Sequence, residues 1–437
     1  MTAPHGTSAR AQTVRRLARA ALGLLILAGV LAVTWRPRAP RVTATVELSE
    51  LFDPVTLAIV EAYRTPRTVV AVVVLLLRLA VPLLAVLTPV GRRLIARLGG
   101  WVGWHRPVRA ATVVVLAVVV ATDLFVLPWL FWLSYVHDGV FGLRTQGLAG
   151  WLRDWAAGVL PAWLLVAGLT AAGFALARRL PRAWPEVAAA LAAGTVLAVV
   201  TLSPLLLEPL HLRTTPLPDG PLRTEIATLT ERAGLGDVEV VVADASRRST
   251  RQNAYVSGLG ATRRVVLYDT LVAGQPTANV LQVVAHELAH DAHRDVLRGA
   301  LAGAAAVAAA VLTLGGFVRW RVRRGWQRGD ADPRAAAVLL AAVVVAVNLA
   351  APVERALSRE VEAAADYGGI VLTEDLTAYR DSRVALARSN LTDPDPPRWV
   401  TWLFATHPPV RDRLALAEHV DGGWRGPAPA ILPQPSP

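Results

Sequence analysis

The sequence predicts a mainly α, polytopic membrane protein of about seven transmembrane helices, with a small α+β module between the fifth and sixth spans. Three observations predict it. Of 437 residues, 54% are apolar and only 18% charged, against about 25% charged in soluble globular domains. Seven apolar stretches approach or exceed the ~20 residues that cross ~30 Å of hydrocarbon as helix. One segment, 208–298, departs from this pattern with short amphipathic periodicities and ends in a cluster of histidines.

After a basic tail, 1–16, the spans fall near Leu17–Trp35, Thr68–Val90, Ala110–Trp132, Ala156–Leu176 and Val187–Leu207, within a region 17–207. Two more, near Gly299–Val318 and Ala335–Ala351, occupy 299–351. Each must be helical, because lipid offers an unpaired backbone group no partner. Arg15, Arg16 and Arg19 flank the start of the first span, but "TWRPRAPR" follows it in place of a small-residue cleavage site. It therefore reads as an uncleaved anchor rather than a signal peptide. Arg78 and Asp123 lie near the middles of the second and third spans; they are expected to pair or to line a wet cavity, unless Arg78 snorkels.

The formal charge is +12, and all 45 basic residues are arginine. They cluster at the ends of apolar runs, which is a topology signal and not a nucleic-acid footprint. The expected partner is the lipid bilayer of the cell membrane, with no nucleic acid. The N-terminus through Arg19 carries four arginines, "GRRLIARLGGWVGWHRPVR" five, "RRLPR" three and "RWRVRRGWQRGDADPR" six. The positive-inside rule puts these segments in the cytoplasm and 208–298 on the other side. With no cysteine in the chain, disulfides and thiolate ligands are excluded, and any metal must be held by His, Asp or Glu.

Within 208–298, "LRTEIATLTERAGL" sets Leu222, Ile226, Leu229 and Ala233 at helical spacing, and "DVEVVVAD", "NAYVSGLG" and "RRVVLYD" read as strands. Pro276 and Thr277 open a helix predicted to run through "HELAH" without a break into the sixth span. The segment 352–420 follows the last span. There "PVERALSREVEAAADYGG" reads as a helix stopped by Gly368 and Gly369. The Pro- and Gly-rich tail 421–437 is predicted to be disordered.

"HELAH" carries the chemistry. His286 and His290 lie four apart, so a helix stacks their imidazoles on one face, where both can bind one ion such as Zn2+. Glu287 is turned about 100° from His286, placed to handle the proton of an activated water without being a ligand. A hydrolytic site wants a third protein ligand and one open position. Glu362 in "SREVEAAAD" is the candidate. Glu360 competes, but points about 160° away on a helix. Asp366, one turn beyond Glu362, is placed to hydrogen-bond a liganding imidazole. The bland alternative is a helix end with two surface histidines. His293 reads as solvated rather than as a further ligand.

Together these residues resemble the membrane zinc endopeptidases of the type I CAAX prenyl protease group, whose relatives include bacterial heat-shock membrane proteases. "HDGVFGLRTQGLAGWLRDW", "TTPLPDGPLRTEIATLTERAGL", "DASRRSTRQNAYVSGLGATRRVVLYDTLV" and "THPPVRDRLAL" follow the same pattern in the same order. The resemblance implies a zincin-like module, one zinc per chain on His286, His290 and Glu362, and Glu287 as general base, with Asp366 behind the ligands. It implies that Asn253, Ala254 and Tyr255 bind substrate on an edge strand, and that His407 and Arg413 approach the developing oxyanion. It implies seven helices around a chamber with the zinc at its rim, and peptide or membrane-protein substrates. It also implies a site facing the cytosol, against the loop charges, so the side stays open. The long insertion of eukaryotic members between late spans is absent, leaving both specific processing and membrane-protein quality control as roles. The alternative from another class is a metal-binding scaffold or transporter; an intact Glu287 argues for the metalloendopeptidase.

Overall fold

The computed structural model describes residues 46–423 apart from 237, together with residue 23. The basic tail 1–16, the first predicted span and positions 424–437 of the tail lie outside the described residues.

Among the described residues, six helices are long and apolar enough to cross a membrane. They comprise α1 (Pro54–Leu87), α3 (Pro107–Phe131, continued to Val140), α4 (Leu148–Arg179), α5 (Trp184–Leu206), α8 (Asp295–Arg323) and α9 (Ala336–Thr373). Leu164, Val347 and Leu349 are among the apolar side chains left exposed on these helices, as a lipid-facing surface requires. α1 starts cleanly because Asp53 accepts the Thr56 N–H at 2.9 Å and Pro54 needs no donor partner.

The basic stretch after α1 is helical too. Thr88 caps α2 (Pro89–Val102), and Leu94, Ile95, Leu98 and Val102 recur at helical spacing. The basic connections gather at one end of the bundle. Arg334 lies 5.2 Å over the Trp104 ring, and Trp184 Nε1 donates to Asp330 at 2.8 Å, beside Arg319. Within the membrane body Asp123 does not pair with Arg78; it accepts from Trp163 Nε1 on α4 at 2.6 Å.

At the other end α3 closes in a π-helical turn, Trp132–His137, followed by the buried Asp138. Asp138 accepts from Arg67 at 2.6 Å and from the Tyr63 hydroxyl at 2.8 Å, both on α1. Arg251 reaches the same carboxylate at 3.3 Å and also donates to the Asn390 carbonyl at 3.3 Å. Asn390 exchanges two 2.9 Å hydrogen bonds with the Gln252 backbone. The chain entering the next strand is thus fixed to two membrane helices and to the end of α10 (Leu376–Ser389).

The module is a four-stranded sheet in the order β1-β2-β4-β3, covered by α6 (Pro221–Arg232) and α7 (Thr277–Ala292). β2 (Glu239–Ala243) and β4 (Arg264–Tyr268) are parallel, and β3 (Ala254–Ser257) runs antiparallel to β4 at the edge. The remaining edge strand, β1 (Thr214–Pro216), was not legible: three residues ending in proline give no alternation. Ile226, Val265, Leu267, Val284, Leu288 and Ala365 join sheet and helices in one core.

Two predicted helix boundaries are corrected. α7 does not run into the sixth span; it ends at Ala292, the chain turns at Arg294 with φ 55° and ψ 39°, and α8 begins at Asp295. Nor do Gly368 and Gly369 stop α9, which continues to Thr373. A Cβ on Gly369 would meet the His286 backbone nitrogen at 3.2 Å, so this glycine serves close helix packing and not termination. At 38 residues α9 is about 57 Å long, so its final turns project beyond ~30 Å of hydrocarbon.

Candidate metal centre

α7 and α9 meet along two stripes running in opposite directions. Gln282, His286 and His290 occupy one face of α7, and Thr373, Gly369, Asp366 and Glu362 occupy one face of α9. Gln282 Nε2 donates to Thr373 Oγ1 at 2.7 Å. His286 Nδ1 lies 3.1 Å from Asp366, and His286 Nε2 is 3.2 Å from Glu362 Oε2. His290 Nε2 is 3.2 Å from His286 Nε2 and 3.7 Å from Glu362 Oε1. One ligand atom each from His286, His290 and Glu362 thus falls within 4.8 Å of the others.

The donor set fits a metal ion on this geometry. Each imidazole has its Nδ1 beside a carboxylate, His286 on Asp366 and His290 on Asp295, both at 3.1 Å. A neutral imidazole that donates Nδ1–H presents a lone pair at Nε2. Two such lone pairs and a carboxylate then face one another, and Glu362 Oε2 is buried with no hydrogen-bond partner. Two lone pairs and a carboxylate converging in this way suit a cation, and imidazole–carboxylate sets suit zinc.

Glu287 is buried beside the imidazoles, and Val256 N–H on β3 donates to its Oε2 at 3.1 Å. Burial pushes its pKa above the ordinary 4.5, against the pull of His286 and His290. Glu287 and the edge of β3 therefore face each other.

Two family models tile the chain. The CAAX prenyl protease N-terminal model, five membrane helices, matches residues 39–212, and the model for peptidase family M48 matches 216–421. The chain belongs to peptidase family M48. The Bacillus subtilis (strain 168) metalloprotease YhfN is 26% identical over 301 residues, covering 68% of this chain and 70% of that one. The CAAX prenyl protease 1 homolog of Oryza sativa subsp. japonica is 26% identical over 305 residues, again 68% and 70%. CAAX prenyl protease 1 of Saccharomyces cerevisiae (strain ATCC 204508 / S288c) reaches 40% over 90 residues, 20% of each chain. The crystal structure of S. mikatae Ste24p shares the fold, with a TM-score of 0.68 at 18% identity over 92% of this chain and 98% of that one. This M48 member is a multi-span membrane metalloprotease.

The remaining predicted residues fall at graded distances from the His286, His290 and Glu362 cluster. His407 Nε2 is 3.2 Å from Glu362 Oε2, and its side chain is 56% exposed. Arg413 donates Nε and Nη2 to Asp366 at 2.7 and 2.6 Å, so its guanidinium is directed at that carboxylate. Although burial disfavours its charge, Asp366 outweighs this and holds Arg413 above its ordinary pKa. Asn253 precedes β3, and its carbonyl accepts the Tyr268 N–H of β4 at 3.0 Å. The strand alternation then turns the backbone groups of Ala254 and Val256 outward and those of Tyr255 inward. His293 is 2% exposed and not solvated, with Nδ1 3.9 Å from Asp295. Glu360 stands apart, in a cleft with Arg359, Asp412 and Arg413.

Sequence reasoning missed Val256, Arg383 and Asp295. Val256 contributes only a backbone group. Arg383, 3.7 Å from Asp366, sits in an ordinary amphipathic helix. Asp295 is out of phase with the histidines unless the helix breaks between them.

Proposed function

We propose that this chain is a zinc-dependent integral-membrane endopeptidase with one zinc per chain, held by His286, His290 and Glu362. The observation that carries the reading is the convergence of three acceptor atoms within 4.8 Å, with an ionisable Glu287 beside them. When bound, zinc supplies a Lewis acid that polarises a carbonyl and lowers the pKa of water to about 7. Glu287 takes the proton of the attacking water and passes it to the departing amine.

An extended substrate pairs with the outward groups of Ala254 and with the Val256 carbonyl on the edge of β3, the Val256 N–H being taken by Glu287. Asn253 and Tyr255 fix that strand: Asn253 through its carbonyl, Tyr255 through its ring, 6.3 Å from Tyr268. A peptide laid antiparallel sends its N-terminal side toward a cavity of about 390 Å³ lined by Val256, Gly258, Leu259, Arg263, His290 and Asp291. His407, exposed beside Glu362, is the side chain placed to donate to a developing oxyanion. Arg413 acts one step back, by holding Asp366 against His286. Substrates are peptides or membrane-protein segments. Several relatives are CAAX prenyl proteases, which adds prenylated C-termini as a class to assay, and quality control of membrane proteins is the other role to test.

The test is Glu287→Gln in the full chain. Peptide cleavage is expected to fall by about 10²–10⁴-fold while zinc content stays at the wild-type level. Cleavage that survives the substitution overturns the mechanism; zinc retention with no cleavage in the wild type favours the scaffold reading.

A further inference from the structure

Asp295 and the left-handed residue before it have no place in the reading so far, beyond the distance to His290. On an uninterrupted helix, a residue five positions after His290 would sit about 140° around the axis and ~7.5 Å further along it. Its carboxylate would face away from the imidazole. Instead α7 ends at Ala292, and Arg294 takes φ 55° and ψ 39°. This region is uncommon for a residue with a Cβ. α8 then restarts at Asp295, whose Oδ2 lies 3.1 Å from His290 Nδ1 and 3.9 Å from His293 Nδ1. The Asp295 side chain is only 14% exposed. No glycine or proline imposes the break: the residues from 291 to 295 are Asp, Ala, His, Arg and Asp. Strained backbone of this kind persists where surrounding structure over-determines it, and it concentrates at functional sites.

Resting on the zinc reading above, we propose that Asp295 is the positioning residue for His290, and that the reversal at Arg294 is the device that delivers it. Asp295 accepts the Nδ1–H of His290, fixes the tautomer with its lone pair at Nε2, and sets the ring plane toward the metal. The two histidines four apart are thereby oriented from different elements. His286 is held by Asp366 of α9, and His290 by the first residue of the membrane helix α8. Zinc affinity is therefore coupled to the junction between module and membrane body.

The experiment measures zinc affinity of the full-length protein in detergent by competition with a chromophoric chelator, alongside thermal unfolding of the zinc-free protein. Asp295→Ala is expected to weaken zinc by ~10–100-fold with little change in zinc-free unfolding. Asp295→Asn, whose Oδ1 can still accept the Nδ1–H, is expected to recover much of that loss. Arg294→Gly should keep zinc affinity within about twofold, since glycine adopts positive φ readily. Arg294→Val, whose branched side chain resists that conformation, should lose affinity as Asp295→Ala does. Wild-type affinity in Asp295→Ala overturns the proposal, as does a loss that merely tracks unfolding of the zinc-free protein. A wild type that binds no zinc overturns the metal reading itself, and this inference with it.

Discussion

Two buried carboxylates organise this molecule, and they are built from similar parts. Asp138 is held by Arg67, Arg251 and the Tyr63 hydroxyl. Asp366 is held by Arg413, with Arg383 at 3.7 Å, and faces His286 Nδ1. The parts differ in burial and in where each cluster ends. Arg67 and Arg251 are about a third exposed, at 30% and 32%, whereas Arg383 and Arg413 are 5% and 12% exposed. The Asp138 cluster ends on backbone, at Asn390 and the segment entering β3. The Asp366 cluster ends on an imidazole whose other nitrogen faces Glu362. The same ion-pair chemistry thus anchors the segment entering β3 at one place and faces the His286 imidazole at the other.

The comparison breaks most visibly under alanine. Asp366→Ala leaves two deeply buried guanidiniums without their counter-charge, at a cost of about 3–5 kcal/mol, and a large fall in thermal midpoint is expected. Asp138→Ala strands arginines that water still reaches, so the cost should be smaller, about 1–3 kcal/mol, most of it from the buried Tyr63 hydroxyl left without its acceptor. Equal losses in thermal unfolding would contradict the distinction.

Isosteric changes sharpen it. Asp366→Asn is expected to weaken zinc by about 10–100-fold, while Asp138→Asn leaves zinc affinity unchanged and raises KM through a looser β3. A zinc titration and steady-state kinetics on both variants separate the two effects.

A smaller effect is pH dependence. Glu287 must be ionised to accept a proton, and burial raises its pKa above 4.5. As pH falls through that raised value the base is lost, so the acid limb of kcat/KM should lie above 4.5. A limb at or below it would place the base elsewhere.

The same contrast explains what the sequence disclosed. His286, Glu287 and His290 are legible because one helical turn sets their geometry. Glu362 and Asp366 are legible as a pair for the same reason, although only the packing of α9 on α7 brings them to the histidines. Apolar runs disclose six spans because lipid permits little else. Asp138 and Arg251, 113 residues apart in sequence, carry no local signal of their meeting. The continuous helix through "HELAH" fails for a related reason. Nothing in "HDAHRD" is a helix breaker, and tertiary placement of Asp295 overrides local propensity. Gly368 and Gly369 mislead in the opposite sense, since a glycine that ends helices elsewhere here admits the backbone of α7.

The central claim is that side chains from α7 and α9 close on one divalent ion. It is tested most directly by zinc per chain in the purified full-length protein and in Glu362→Gln, measured by elemental analysis after equilibrium dialysis at matched free zinc. One zinc in the wild type and a marked loss in Glu362→Gln, with the fold intact by thermal unfolding, is the predicted result. Full wild-type occupancy in Glu362→Gln at limiting zinc would contradict the account.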